Sequence, residues 1–247
     1  MPPLPRPSTR RLDPMALPIS GHIPRNIPRK LIVLGDSGVL GWGDPEDGGW
    51  CERLRRHWMG LPGGPVLYPL GVRGDGLERV AARLEREVAC RGELRRQLPH
   101  GILLAVGLND SASIGRPDGR TQLDRDAFLF GLQQLIRQAQ ALAPVFVLGL
   151  TPVDGAVMPY AGMLWYSLAA VQHYEALLEE ACLEADVPFL SLLPSLLADP
   201  RWLQWLDPDG VHLNSEGHRQ VYGRLRQWPA LLQWAGLEPG SVPTPMR

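Results

Sequence analysis

The chain has 247 residues, 45% hydrophobic and 21% charged, with a formal net charge of -1. That length can bury one substantial enzyme-sized core, and the near-neutral balance offers no field for capturing nucleic acid or an anionic membrane. No apolar run approaches the roughly 20 residues that span a bilayer, so stable membrane insertion is not expected.

Residues 1–29 interleave prolines such as Pro2, Pro5 and Pro14 with Arg6, Arg10, Arg11, Arg25 and Arg29. This composition predicts a disordered tail and lacks the apolar segment of a secretory signal. Three cysteines, Cys51, Cys90 and Cys182, stand at no metal-ligand spacing. Their sparse, odd number fits a reducing compartment, and the chain is expected to be cytoplasmic.

From residue 30 onward short apolar runs alternate with helical periodicity. Strands are predicted at 31–34, 66–70, 102–106, 145–150 and 188–192. Helices are predicted at 50–58, 77–89, 125–142 and 164–185, with a final helix over 220–234. Repeated strand–helix units imply a parallel sheet with helices on both faces. No repeat or internal linker interrupts residues 30–236, which read as one domain, followed by a frayed tail over 237–247.

The first predicted strand runs into Gly35-Asp36-Ser37-Gly38. This sets a hydroxyl at the carboxyl edge of the sheet, where open α/β proteins place their sites. Far downstream, Asp209-Gly210-Val211-His212 supplies a carboxylate and an imidazole three residues apart. Nucleophile, base and orienting acid are thereby present, as serine-based catalysis requires. Gly-Asp-Ser-Gly also surrounds the nucleophile of chymotrypsin-like proteases, but those need histidine and aspartate upstream within β-barrels. A Gly-x-Ser-x-Gly elbow is ruled out by Val39.

Two turns after strands offer donors for a developing oxyanion. Gly71-Val72-Arg73-Gly74-Asp75-Gly76 can aim a backbone N–H past positions without a Cβ, and Gly107-Leu108-Asn109-Asp110 offers a side-chain amide. Asp36 and Asp110 read as supports rather than catalysts, and Asp207 competes with Asp209 as the orienting acid. The acids Asp44, Glu46 and Asp47, set among Pro45, Gly48 and Gly49, read as a solvated loop rather than a metal site. No cofactor and no metal are expected.

These four blocks, spread over residues 31–217, resemble the GDSL, or SGNH, hydrolase family of esterases and lipases. The resemblance implies a three-layer α/β/α, flavodoxin-like fold with a five-stranded parallel sheet, and ester hydrolysis through an acyl-enzyme. It implies Ser37 as nucleophile, His212 as base and then acid, and Asp209 holding the tautomer. The oxyanion hole it implies comprises the N–H groups of Ser37 and Gly74 and the side chain of Asn109. Gly38 departs from the leucine that gives the family its name, which affects the shape beside Ser37 rather than the chemistry.

A substrate pocket is expected from an apolar and aromatic segment, 151–166, and from the residues before Asp209. Trp42, Met158, Tyr160, Trp165 and Trp205 are its candidate lining. Both segments are short, so the expected partner is a small-to-medium acyl ester. Carbohydrate O-acetylesterase, lysophospholipase and thioesterase activities share the same machinery, and a non-catalytic binding module is the alternative of another class. Nothing in the sequence fixes an oligomeric state.

Overall fold

The computed structural model describes residues 28–91 and 98–238. The tails expected at 1–29 and 237–247 fall almost wholly outside the described residues.

The central sheet contains β1 (Lys30–Gly35), β2 (Val66–Gly71), β3 (Gly101–Ala105), β5 (Val145–Leu148) and β7 (Phe189–Leu190), all parallel, in the order β2-β1-β3-β5-β7. A separate two-stranded antiparallel ribbon pairs β4 (Ser113–Ile114) with β6 (Leu164–Trp165). β1 is buried along its whole length. Alternate side chains of a strand point to opposite faces. Ile32 and Leu34 therefore join one core, and Leu31 and Val33 the other. A strand covered on both faces favours apolar side chains at every position, which explains the unbroken run from Leu31 to Leu34 that follows Lys30.

The first core is closed by α3 (Leu77–Cys90), α4 (Arg125–Gln140) and α5 (Leu168–Glu184). In α3, Leu77, Val80, Leu84 and Val88 recur at three and four residues and form its buried stripe. The second core is closed by α2 (Gly49–Met59), α6 (Leu193–Leu197), α7 (Ser215–Leu225) and α8 (Pro229–Ala235). The architecture is the expected three-layer α/β/α sandwich.

Two predicted helices differ from those observed. Residues 164–165 belong to the β ribbon, and α5 begins at Leu168 because the Ser167 side chain accepts a hydrogen bond from Ala170 N–H. The single helix expected at 220–234 is two, broken before Pro229. Proline cannot donate the N–H a continuing helix needs, but it fits the first position of α8. The strand predicted at 188–192 shortens to Phe189–Leu190 at the sheet edge.

Candidate active site

The order in which strands are added reverses at β1, with β2 laid on one side of it and β3 on the other. Crossovers diverge there and leave a crevice at the carboxyl edge. Asp36 follows β1 and caps the short helix α1 (Ser37–Leu40), its Oδ1 accepting from Gly38 N–H at 2.8 Å. Gly35 is required because a Cβ there would lie 2.5 Å from both the Ala105 carbonyl oxygen and Val39 Cγ2.

His212 reaches this turn from a tightly cinched loop. Asp209 Oδ1 accepts from Val211 N–H and His212 N–H, each at 2.9 Å, while Asp209 Oδ2 lies 2.6 Å from His212 Nδ1. Asp207 N–H donates to the His212 carbonyl at 2.7 Å, so Asp207 serves the loop backbone and Asp209 serves the ring. Asn214 caps α7 through Gly217 N–H, fixing the loop from its far end. His212 Nε2 then lies 2.9 Å from Ser37 Oγ. Both residues are nearly buried, at 8% and 7% exposure. Burial disfavours ionised Asp209, but the bonds from His212 and Val211 outweigh it and hold the carboxyl at about 2. A hydroxyl, an imidazole and an ionised acid in this order can pass a proton from serine to histidine with the tautomer held.

Ser37, His212, Gly74 and Asn109 line a cleft of about 300 Å³ together with Arg73, Gln122, Tyr160, Leu164 and Tyr166. Gly74 has φ 75°, a left-handed conformation that favours glycine, and nothing stands within 4 Å of where its Cβ would be. Asn109 Nδ2 donates to Asp36 Oδ2 and to the Asp75 carbonyl, both at 3.1 Å. Its Oδ1 accepts from Tyr166 Oη at 3.1 Å. Burial raises the Tyr166 hydroxyl well above the ordinary phenol range, so it acts as a neutral donor. Burial likewise pushes the Asp36 carboxyl to about 6, against the opposing Gly38 N–H and the nearby His212.

The expected substrate-binding residues are distributed unevenly. Tyr160 is in the cleft, its ring edge-on to His212 at 5.7 Å. Trp42 stands beside the same imidazole at 6.2 Å, 41% exposed, at the cleft margin. Trp205 is instead buried in the second core, and Met158 packs against the first. Trp165 does not line the cleft either: alternation along the ribbon turns it away while its neighbours Leu164 and Tyr166 face in. Sequence reasoning missed Arg73, which stands inside the glycine block, and Gln122, which lies 13 residues beyond Asn109 and carried no local signal. Asp44 is no solvated-loop acid. It is 5% exposed and accepts from the N–H groups of Glu46, Asp47 and Gly49 and from Arg53.

Comparison with known proteins gives a consistent fold. A family model described as a GDSL-like lipase/acylhydrolase family matches residues 33–220. A lipase/acylhydrolase from Enterococcus faecalis superposes with a TM-score of 0.66 at 20% identity, covering 86% of this chain and 99% of that one. The acetylxylan esterase Axe2 from Geobacillus stearothermophilus gives 0.63 at 16% identity, covering 86% and 97%. A stretch of 74 residues, 28% of this chain, is 43% identical to part of a GTPase Era from a Nocardioides species and spans only 22% of that protein. A phosphate-binding Gly-Lys-Ser/Thr loop has no counterpart here, since the only lysine, Lys30, starts β1.

Proposed function

The chain belongs to the GDSL-like lipase/acylhydrolase family of ester-hydrolysing enzymes, and from that premise we propose that it is a serine esterase acting on small-to-medium acyl esters. The observation that carries this reading is the continuous contact from Ser37 Oγ through His212 to Asp209, at 2.9 and 2.6 Å, opening on a small cleft. His212 takes the Ser37 proton as Oγ attacks the ester carbonyl. The resulting oxyanion meets Ser37 N–H, Gly74 N–H and the Asn109 amide. Collapse releases the alcohol, protonated by His212, and leaves an acyl-enzyme. Water activated by the same imidazole then frees the acid. No metal or cofactor enters this scheme. Residues 30–236 act as one hydrolase domain.

The cleft volume favours short acyl groups. A second reading, deacetylation of a carbohydrate, is favoured by the polar lining residues Arg73, Gln122 and Tyr160 and by the likeness in fold to the acetylxylan esterase Axe2. The test is a series of p-nitrophenyl esters from acetate to dodecanoate beside O-acetylated xylooligosaccharides, with Ser37→Ala in parallel. Turnover of the short and middle esters that vanishes in Ser37→Ala is expected. Preference for the acetylated sugar would select the second reading, and absence of Ser37-dependent turnover by folded protein would refute both.

A further inference from the structure

Arg73 shares the cleft with Ser37 and His212 yet has no part in the proton relay. It sits in the turn after β2, one residue before Gly74. Its guanidinium carbon lies 3.4 Å from the centre of the Trp42 ring, and Nη2 donates toward Tyr160 Oη at 3.4 Å. Among the described residues no carboxylate pairs with it.

The acids nearest to hand are already committed. Asp75 binds Arg83, Asp36 serves Gly38 and Asn109, and Asp209 stands behind the imidazole rather than in the cleft lining. The lining therefore carries a single permanent charge, and it is positive. The surfaces that hold the guanidinium are themselves fixed. The Trp42 carbonyl accepts from His218 Nε2–H at 3.0 Å, and His218 Nδ1 accepts from Trp50 N–H at 3.2 Å. Tyr160 N–H donates to the Leu164 carbonyl at 2.8 Å. An indole face and a phenol leave most of the five guanidinium N–H donors unspent, in a planar fork that matches carboxylate and phosphate oxygens.

We propose that Arg73 is a specificity residue that selects esters carrying an anionic group, a carboxylate or a phosphate, close to the scissile carbonyl. This rests on the reading of Ser37 as the nucleophile. Arg73 is exposed, so salt screens its pull on an anion, but a guanidinium already held in place loses little freedom when a carboxylate or phosphate binds it. A neutral ester gains nothing from it beyond van der Waals contact.

The experiment compares kcat/KM for matched esters by continuous acid titration. Phenyl acetate is set against 4-carboxyphenyl acetate and 4-phosphonooxyphenyl acetate, and phenyl butyrate against monophenyl succinate. Each is measured with wild type, Arg73→Gln, Arg73→Lys and Ser37→Ala. Intrinsic leaving-group differences cancel, because ratios are compared between proteins. At least one anionic-to-neutral ratio is expected to fall about tenfold or more in Arg73→Gln and less in Arg73→Lys. The member that responds identifies carboxylate or phosphate, on the acyl or the alcohol side. In wild type the same ratio falls as NaCl is raised, a readout independent of any variant. Ratios that match between wild type and Arg73→Gln for every pair, and that ignore salt, overturn the proposal while Ser37-dependent hydrolysis of phenyl acetate stands. Hydrolysis of every ester surviving in Ser37→Ala, or no hydrolysis at all, overturns the esterase reading beneath it.

Discussion

Both polar atoms of the Asn109 side chain are engaged. Its two amide hydrogens go to Asp36 Oδ2 and the Asp75 carbonyl, and its oxygen accepts from Tyr166. An amide has only two such donors, so an arriving oxyanion must share one in a three-centre bond. Asn109→Ala is therefore expected to lower kcat by roughly a hundredfold or more, as loss of an oxyanion donor does. Steady-state kinetics on a folded variant checks this, and an unchanged kcat would remove the role. Tyr166→Phe leaves the amide in place but frees it to turn. Its expected signature is about a tenfold fall in kcat with a smaller change in KM, since the amide's orientation matters most when charge develops. A change confined to thermal stability would instead make the tyrosine a packing residue.

At the level of elements, Asp110 shows how the loop after β3 holds a helix distant in sequence. Both its carboxylate oxygens accept from Leu77 N–H, the first residue of α3, at 3.0 and 3.1 Å. A carboxylate there satisfies an orphan donor and faces the positive end of the helix. Burial nevertheless pushes its pKa from 3.8 to about 6. The folded protein then holds a proton that the unfolded chain releases, so this contribution to stability is complete below about pH 4 and is lost as pH rises through about 6. Asp110→Asn keeps a neutral acceptor. Relative to wild type it is expected to gain up to roughly 3 kcal/mol of stability between pH 4 and pH 7.5. Denaturant unfolding of both proteins at the two pH values measures the difference, and a gap that does not widen with pH would contradict it.

The sequence made α3 legible through its stripe, and it made the Ser37 and His212 blocks legible because strand-end turns and a three-residue acid–base spacing are local signals. It did not show that Asp110 caps α3, since that bond joins residues 33 positions apart. Nor could it place Trp165, whose direction depends on the two-residue ribbon with Ser113 and Ile114 rather than on its own neighbours. The mistaken helix start at 164 has the same origin: a helical period was read through a segment that a distant partner draws into a strand.

Across the whole molecule the two ends of the sheet divide the labour. The carboxyl edge carries Ser37, Gly74 and Asn109, while the opposite edge is sealed by α8. There Trp234 Nε1–H donates to the His100 carbonyl at 3.0 Å, and its ring lies 6.0 Å from Phe146 and 6.3 Å from Trp58. Gly101 makes room for it: a Cβ there would come within 2.8 Å of the indole. Trp234→Ala is expected to cost about 2–4 kcal/mol through lost packing and the lost hydrogen bond to the His100 carbonyl. kcat/KM of the folded fraction should be unaltered, because the lesion lies a sheet length from the chemistry. Chemical denaturation beside ester kinetics tests both halves, and a matching fall in kcat/KM would show that the two edges are coupled.

The β4–β6 ribbon has a consequence for how this enzyme can change. One short crossing carries Leu164 and Tyr166, so a side chain of the cleft lining and the hydroxyl that bonds Asn109 travel together. A laboratory lineage selected for bulkier esters by lengthening or reshaping that crossing would shift Tyr166 with it and slow every substrate, old and new. Single substitutions at Leu164 or Tyr160, which leave the crossing's length intact, open a path on which breadth can be gained before speed is lost.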